Sequence, residues 1–200
     1  MPVRARLLRV TTRTRRRADA ERSIARIVAA ARELLGRDPA ATIDEIASAA
    51  GVGRMTLYGH FPNRAELVEA ALADALADGE RTLSGVGLTG DPRDALDRLL
   101  ASSWTLVAES SSLLVAAQEV LPPGRVRQLH GAPAARLEDL IRRGQAEGAF
   151  RTDLPIGWLV GAVHYLLKGA AEEERAGRLD AADIPRVVTA SVRSLLTPPG

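Results

Sequence analysis

Arg54, Met55, Thr56, Tyr58 and His60 fall within seven residues and offer, in order, a forked cation, a thioether, a hydroxyl, a phenol and an imidazole. Groups of these kinds suit a partner rich in acceptor atoms and negative charge. A guanidinium pairs bidentately with guanine O6 and N7, an apolar tip touches a thymine methyl, and hydroxyl, phenol and imidazole groups donate to phosphates. Arg64 adds a further cation ten residues after Arg54. A solvated helix face that does nothing usually carries interspersed Glu and Lys. This selection therefore points to duplex DNA rather than to idle surface or to an ordinary pair of core helices.

Two short helices must hold these side chains outward. Thr42 and Glu45 stand three apart ahead of an apolar series, the spacing of a reciprocal cap. Ile43, Ile46, Ala47 and Ala50 then recur at i, i+3, i+4 and i+7, a narrow face that admits a close neighbour. Gly51 is expected to end this helix, because the residue past the last turn commonly needs positive φ. Val52 plugs the angle, and Gly53 to Phe61 supplies a second helix of about two turns that turns Leu57 and Phe61 inward. Such a helix fits the major groove with its N-terminal residues at base edges. Pro62 is read as opening the next helix, Asn63 to Leu76, whose free amides together with Arg64 suit a phosphate.

Charge is divided along the chain. Residues 1–64 hold 13 arginines against 6 acidic residues, a net +7, and residues 65–200 hold 14 cations against 19 acids, a net −5. The basic end is thus the end that carries the motif. Residues 1–17 contain seven arginines and no acid, with Thr11, Thr12 and Thr14 between them and no helical patterning, so they are read as a flexible basic arm. Its Arg15, Arg16 and Arg17 adjoin the first helix and are candidate DNA contacts. Arginine makes up 26 of the 27 cationic residues, so its prevalence over lysine is not itself a sign of phosphate recognition.

The composition, rich in Ala and Leu with 3% aromatics, favours an all-helical chain. The absence of cysteine removes disulfides and thiolate metal sites, and a cytoplasmic location is expected. No apolar run is expected to be long enough to span a membrane, since His164 and Lys168 interrupt the best candidate, Trp158 to Ala171, and the N-terminus does not look like a signal peptide. No His-x-x-x-His spacing, Gly-x-Ser-x-Gly elbow or phosphate loop occurs, so neither metal nor cofactor is expected and a helical enzyme is the weaker alternative.

Gly51-Val52, Thr56-Leu57-Tyr58, His60-Phe61, Arg64 and Leu67 resemble, position by position, the DNA-binding motif of the tetracycline-repressor (TetR-like) family. The stripe Ile24, Ile27, Val28, Ala31, Leu34 and Leu35 stands where that family has its first helix, and Gly144 to Arg151 is similar to a turn of its second domain. The resemblance implies an all-α fold: a three-helix helix-turn-helix domain over residues 18–66, with its motif at 42–61, then a helical effector-binding and dimerisation domain over 67–200. By the same resemblance Arg54 and Met55 face bases, while Thr56, Tyr58, His60 and Arg64 hold phosphates. Thr42 and Gly53, at the two helix starts, are counted with them. Two departures weaken the readout: Gly53 replaces a usual hydroxyl residue, and Gly59 stands where the family often has a large side chain.

Downstream, Asp91-Pro92 opens a helix bearing Leu96, Leu99, Leu100, Trp104 and Val107, a shorter helix follows from Ser111 to Val120, and Arg125 to Ala146 is helical with a bend near Gly131 and Pro133. The last two helices carry broad apolar faces that need partners. The resemblance implies a homodimer through Trp158, Leu159, Val163 and Leu166 on one and Val187, Val188, Ser191, Val192 and Leu195 on the other. Such a dimer would seat two reading helices about 34 Å apart on a palindromic operator. It also implies a small-molecule pocket, for which Trp104, His130, His164 and Tyr165 are the candidates. The expected function is a regulator, a repressor released by a small molecule. A DNA-binding regulator without such an effector remains open.

Overall fold

The computed structural model describes the backbone of residues 3–199 and the side chains of residues 17–199 other than Ala132. Among the described residues the chain forms α-helices and no strand: α1 (Val3–Arg37), α2 (Ile43–Ala49), α3 (Arg54–His60), α4 (Arg64–Ser84), α5 (Pro92–Val120), α6 (Pro123–Leu129), α7 (Gly131–Ala146), α8 (Ile156–Arg175) and α9 (Ile184–Leu196).

Two apolar cores organise these helices. The first gathers Ile27, Ala31 and Leu35 of α1, Ile46 of α2, Leu57 of α3, and Leu67, Val68, Ala71 and Leu72 of α4, and it is closed by Leu113, Ala116 and Ala117 near the end of α5. The second joins Leu96, Leu99 and Leu100 of α5 to Leu140 and Ile141 of α7, Leu159 and Val163 of α8, and Val188 and Val192 of α9. Both α4 and α5 run from one core into the other. The expected division between residues 66 and 67 lies inside α4, and the first core is incomplete without residues far downstream.

Several expectations are corrected. Residues 3–17, expected to be a flexible arm, belong to α1. From Val3 to Leu35 the chain has neither glycine nor proline, and Arg, Ala and Leu are strong helix formers, so nothing stops the helix. Pro62 lies before the helix it was expected to open. Asn63 is the cap of α4, its side chain accepting from the Glu66 amide at 2.9 Å, and α4 runs on to Ser84 rather than ending near Leu76. The separate helix expected from Ser111 is the second half of α5. Serine costs a helix interior only a fraction of a kcal/mol, roughly 0.5, and Leu113, Ala116 and Ala117 bury against α1 and α4. The stretch from Arg125 to Ala146 is not one bent helix but two, divided at His130. By length and composition α5 is also apolar enough to cross a membrane, contrary to the expectation that no segment is. It buries Leu96, Leu99 and Leu100 and touches α1, α4, α7, α8 and α9, the position of a central core helix.

The turn after α7 depends on two glycines. Gly148 has φ of +72°, and the Ala149 and Phe150 amides donate to the Gly144 carbonyl at 2.7 and 3.1 Å. This folds the Phe150 ring, itself buried, over Gly144, where a Cβ would overlap it. The Arg151 amide then donates to the Leu196 carbonyl at 2.8 Å and ties the turn to the end of α9.

Candidate nucleic-acid interface

The reciprocal cap expected at α2 is present. The Glu45 amide donates to Thr42 Oγ1 at 3.2 Å, and the Thr42 amide donates to Glu45 Oε2 at 2.7 Å. That amide, with a second bond from the Thr42 hydroxyl, holds the Glu45 carboxyl below its usual range. Gly51 takes φ of +64°, which a side chain would resist, and the chain reverses into α3. Gly53 caps α3 through its backbone only, and Leu57 and Phe61 lock the helix into the first core. The opposite side is left outward: Met55 is 83% exposed, and Arg54, Thr56 and Gly59 are exposed as well.

Arg54 is held at an edge by a carboxylate and lies over an aromatic ring. One guanidinium nitrogen lies 2.7 Å from the Asp44 carboxylate on α2, and the guanidinium carbon lies 5.5 Å from the centroid of the Tyr58 ring. The expected base-reading cation is thus tethered but still 60% exposed in its side chain. Tyr58 and His60 are half-buried beside it.

Arg64 departs from expectation. Its side chain turns inward, donating to the Ala41 carbonyl at 2.5 Å and the Pro39 carbonyl at 2.7 Å, and so pins the loop before α2 to the start of α4. Two carbonyls within reach of one planar fork outcompete a solvent-facing pose. It is a brace for the motif rather than a free phosphate ligand. Arg17 is exposed on α1, whereas the side chains of Arg15 and Arg16 lie outside the described residues. Arg26, which sequence patterning does not single out, reaches the α2–α3 turn: its Nη1 stands 3.8 Å from where a Cβ on Gly51 would be. Asp44 is likewise invisible to pattern, because only the folded turn brings it to Arg54.

A cavity of about 120 Å³ lies between α4, α5, α7 and α8, bounded among others by Gly79, Glu80, Leu106, Leu137, Val163 and His164. His130 and His164, two of the four expected pocket residues, line it. Trp104 and Tyr165 do not. Trp104 is buried within the second core, and Tyr165 is 70% exposed on the outer side of α8, about 100° around the helix from His164. Each lining histidine donates from Nδ1 to the carbonyl four residues back, His130 to Val126 at 2.9 Å and His164 to Val160 at 2.8 Å. Burial pushes the His164 imidazole below its ordinary range, against the pull of the Val160 carbonyl, and the nearby His130 adds to the depression.

The expected pairing face also divides. Leu159 and Val163 of α8, with Val188 and Val192 of α9, are buried inside the monomer, four apart on inward stripes, and are not available to a second copy. Trp158, 63% exposed, and Tyr165 form the outer stripe of α8, with Gly161 and Ala162 between them, and Leu166, Val187, Ser191 and Leu195 are half-buried at its flanks.

Residues 27–71, which span the inner part of α1, all of α2 and α3 and the first turns of α4, match the family described as bacterial regulatory proteins, tetR family. Residues 27–71 thus carry the DNA-binding domain of the TetR family. Over 179 residues, 90% of this chain and 93% of the relative, it is 22% identical to the HTH-type transcriptional repressor LfrR of Mycolicibacterium smegmatis. The crystal structure of LfrR in complex with proflavine superposes with a TM-score of 0.68, covering 88% of this chain and 97% of that one. A tetR-family transcriptional regulator from Streptomyces coelicolor, 23% identical, gives 0.68 over 88% and 80%. RolR in complex with resorcinol, 20% identical, gives 0.66 over 91% of each chain. These likenesses extend the TetR fold over nearly the whole chain. The matched domain is that of DNA-binding transcriptional regulators, a non-enzymatic family.

Proposed function

We propose that two copies of this TetR-family chain pair through the outer faces of α8 and α9, lay their α3 helices in successive major grooves of a palindromic operator, repress by occupying it, and let go when a small apolar molecule enters the cavity behind α4. The observation that carries the DNA reading is α3 itself, with Leu57 and Phe61 sunk in the core while Arg54 and Met55 stand outward. Arg54 reads a guanine and Met55 a thymine methyl, and Thr56, Tyr58 and His60 hold phosphates. Thr42 and Gly53 bring backbone and hydroxyl groups at the helix starts, and Arg15, Arg16 and Arg17 add cations from α1. The protein acts in the cytoplasm, where its DNA is.

Pairing is supported by the exposed Trp158 and Tyr165, large rings that cost a lone chain hydration, separated by small residues that let another helix approach. Release is supported by a largely apolar cavity against α4, the helix that follows α3 after three intervening residues, and by relatives solved with proflavine and with resorcinol. A repressor role is supported by the name of the relative LfrR. Selection from random duplexes with the purified full chain tests the reading. A recovered inverted repeat with half-sites about one duplex turn apart is expected, and recovery of no common sequence would overturn it.

A further inference from the structure

Three of the five polar side chains that line the cavity, Glu80, His130 and His164, present acceptors to it. His130 and His164 each spend their Nδ1 hydrogen on a backbone carbonyl of their own helix turn, so the neutral ring presents Nε2, a lone pair, to the remaining space. Burial favours that neutral form at His164. Glu80 adds a carboxylate and Ser103 and Ser110 add hydroxyls, while no lysine or arginine is among the lining residues.

Glu80 is also incompletely paired. Its Oε1 accepts from Arg136 Nη2 on α7, but its Oε2 and the Nε of Arg136 are both buried without a hydrogen-bond partner. A guanidinium and a carboxylate at their best close two parallel bonds. This pair closes one, with side chains only 22% and 30% exposed, so the desolvated carboxylate keeps an unused acceptor, itself buried and reached from the cavity that Glu80 lines only when a side chain moves aside. Burying a charge with part of its hydrogen bonding unmade is costly, and a ligand that completes it recovers that cost.

We propose that the cavity takes an apolar, ring-bearing molecule with a cationic or hydrogen-bond-donating head, and that the head pairs with Glu80 in competition with Arg136. This deepens, and rests on, the reading of the chain as a ligand-released regulator. Anionic ligands are disfavoured by the same carboxylate and find no cation in the lining. The competition has a mechanical consequence, because Arg136 links α7 to α4. A head that takes Glu80 from Arg136 unties α7 from α4 about 24 Å along the helix from its capped start beside α3.

Three probes with one body and different heads test this on the full chain by calorimetry: 1-naphthylmethylammonium, 1-naphthylmethanol and 1-naphthoate. The ammonium is expected to bind about tenfold or more tighter than the naphthoate, a ratio that one charge-assisted hydrogen bond supplies. Glu80→Gln is expected to abolish that preference while leaving the alcohol within about twofold. Arg136→Met, which removes the competitor and keeps the carboxylate, is expected to tighten the ammonium, and it stands as the test should Glu80→Gln not fold. Equal or tighter naphthoate binding, an unchanged preference in Glu80→Gln, an ammonium affinity unaffected or weakened by Arg136→Met, or no binding of any probe overturns the proposal. Release of the selected operator duplex is measured alongside. Ammonium preference without release leaves this assignment standing and removes ligand-released control, whereas release by the naphthoate alone does the reverse.

Discussion

Arg54 and Asp44 meet across the angle between α2 and α3, nitrogen to oxygen at 2.7 Å, while the same guanidinium rests over the Tyr58 ring. The cation proposed to read a base is therefore oriented before any DNA arrives, by a carboxylate that DNA would have to displace or repel. An exposed pair of this kind adds little to folding. Asp44→Asn is expected to leave the melting temperature nearly unchanged and to raise DNA affinity a few-fold at low salt, the gain fading as salt screens it. Arg54→Ala is expected to flatten preference at one base pair, costing about 1–3 kcal/mol of discrimination there. Competition among singly substituted operators measures both, and unaltered selectivity in Arg54→Ala would remove its assigned role.

Arg64 predicts a stability effect where pattern alone suggests a phosphate effect. Its loss leaves the carbonyls of Pro39 and Ala41 without their donor. Arg64→Ala is expected to cost about 1–3 kcal/mol of unfolding free energy, and Arg64→Lys to recover little of it, since an ammonium lacks the fork. Denaturant unfolding reads this. A flattened salt slope with unchanged stability would restore the phosphate reading.

Gly53 and Gly59 occupy backbone that any residue accepts, with φ of −71° at Gly53 and nothing within 4 Å of a Cβ at Gly59. Gly59→Ala removes helix-interior flexibility and is expected to stabilise by about 0.5–1 kcal/mol. Gly53→Ser supplies the missing cap, worth a few tenths of a kcal/mol, roughly 0.3, together with a hydroxyl toward phosphate, and is expected to tighten DNA binding on all sequences alike. Thermal melts and binding isotherms check the two effects separately.

Trp158→Glu places a charge in the middle of the proposed pairing face without disturbing a buried side chain. Sedimentation is expected to show monomers where the parent chain forms dimers, with helicity intact. An unchanged dimer would move the interface elsewhere.

Acid should unfold the motif by a traceable route. The Thr42 amide and hydroxyl depress the Glu45 carboxyl in the folded chain, so its contribution is present above its unfolded value of about 4.5 and is lost as pH falls through the lower folded value. Glu45→Gln is expected to be less stable than the parent at neutral pH and to lose less stability between pH 5 and 3. Parallel loss in both proteins would assign the acid sensitivity to other carboxylates.

The motif was readable from residues alone because its causes are local. A threonine three before a glutamate, a glycine past a helix end and Leu57 four before Phe61 act over one or two turns, and each appears in the fold as expected. Long elements were harder. The break expected at Ser111 and the arm expected before Ala18 rested on weak local preferences that continuous packing or an uninterrupted run of helix formers overrides.

Composition, capping and periodicity suffice to establish an all-helical chain with a helix-turn-helix near its basic end, since those properties depend on neighbours within four residues. Which apolar stripe of α8 and α9 faces inward, whether Arg64 points to carbonyls or to solvent, and that Asp44 meets Arg54 and Glu80 meets Arg136 depend on contacts between residues far apart in the sequence. Periodicity gives the faces of one helix but not the rotation of one helix against another, and only the packed cores supply that rotation.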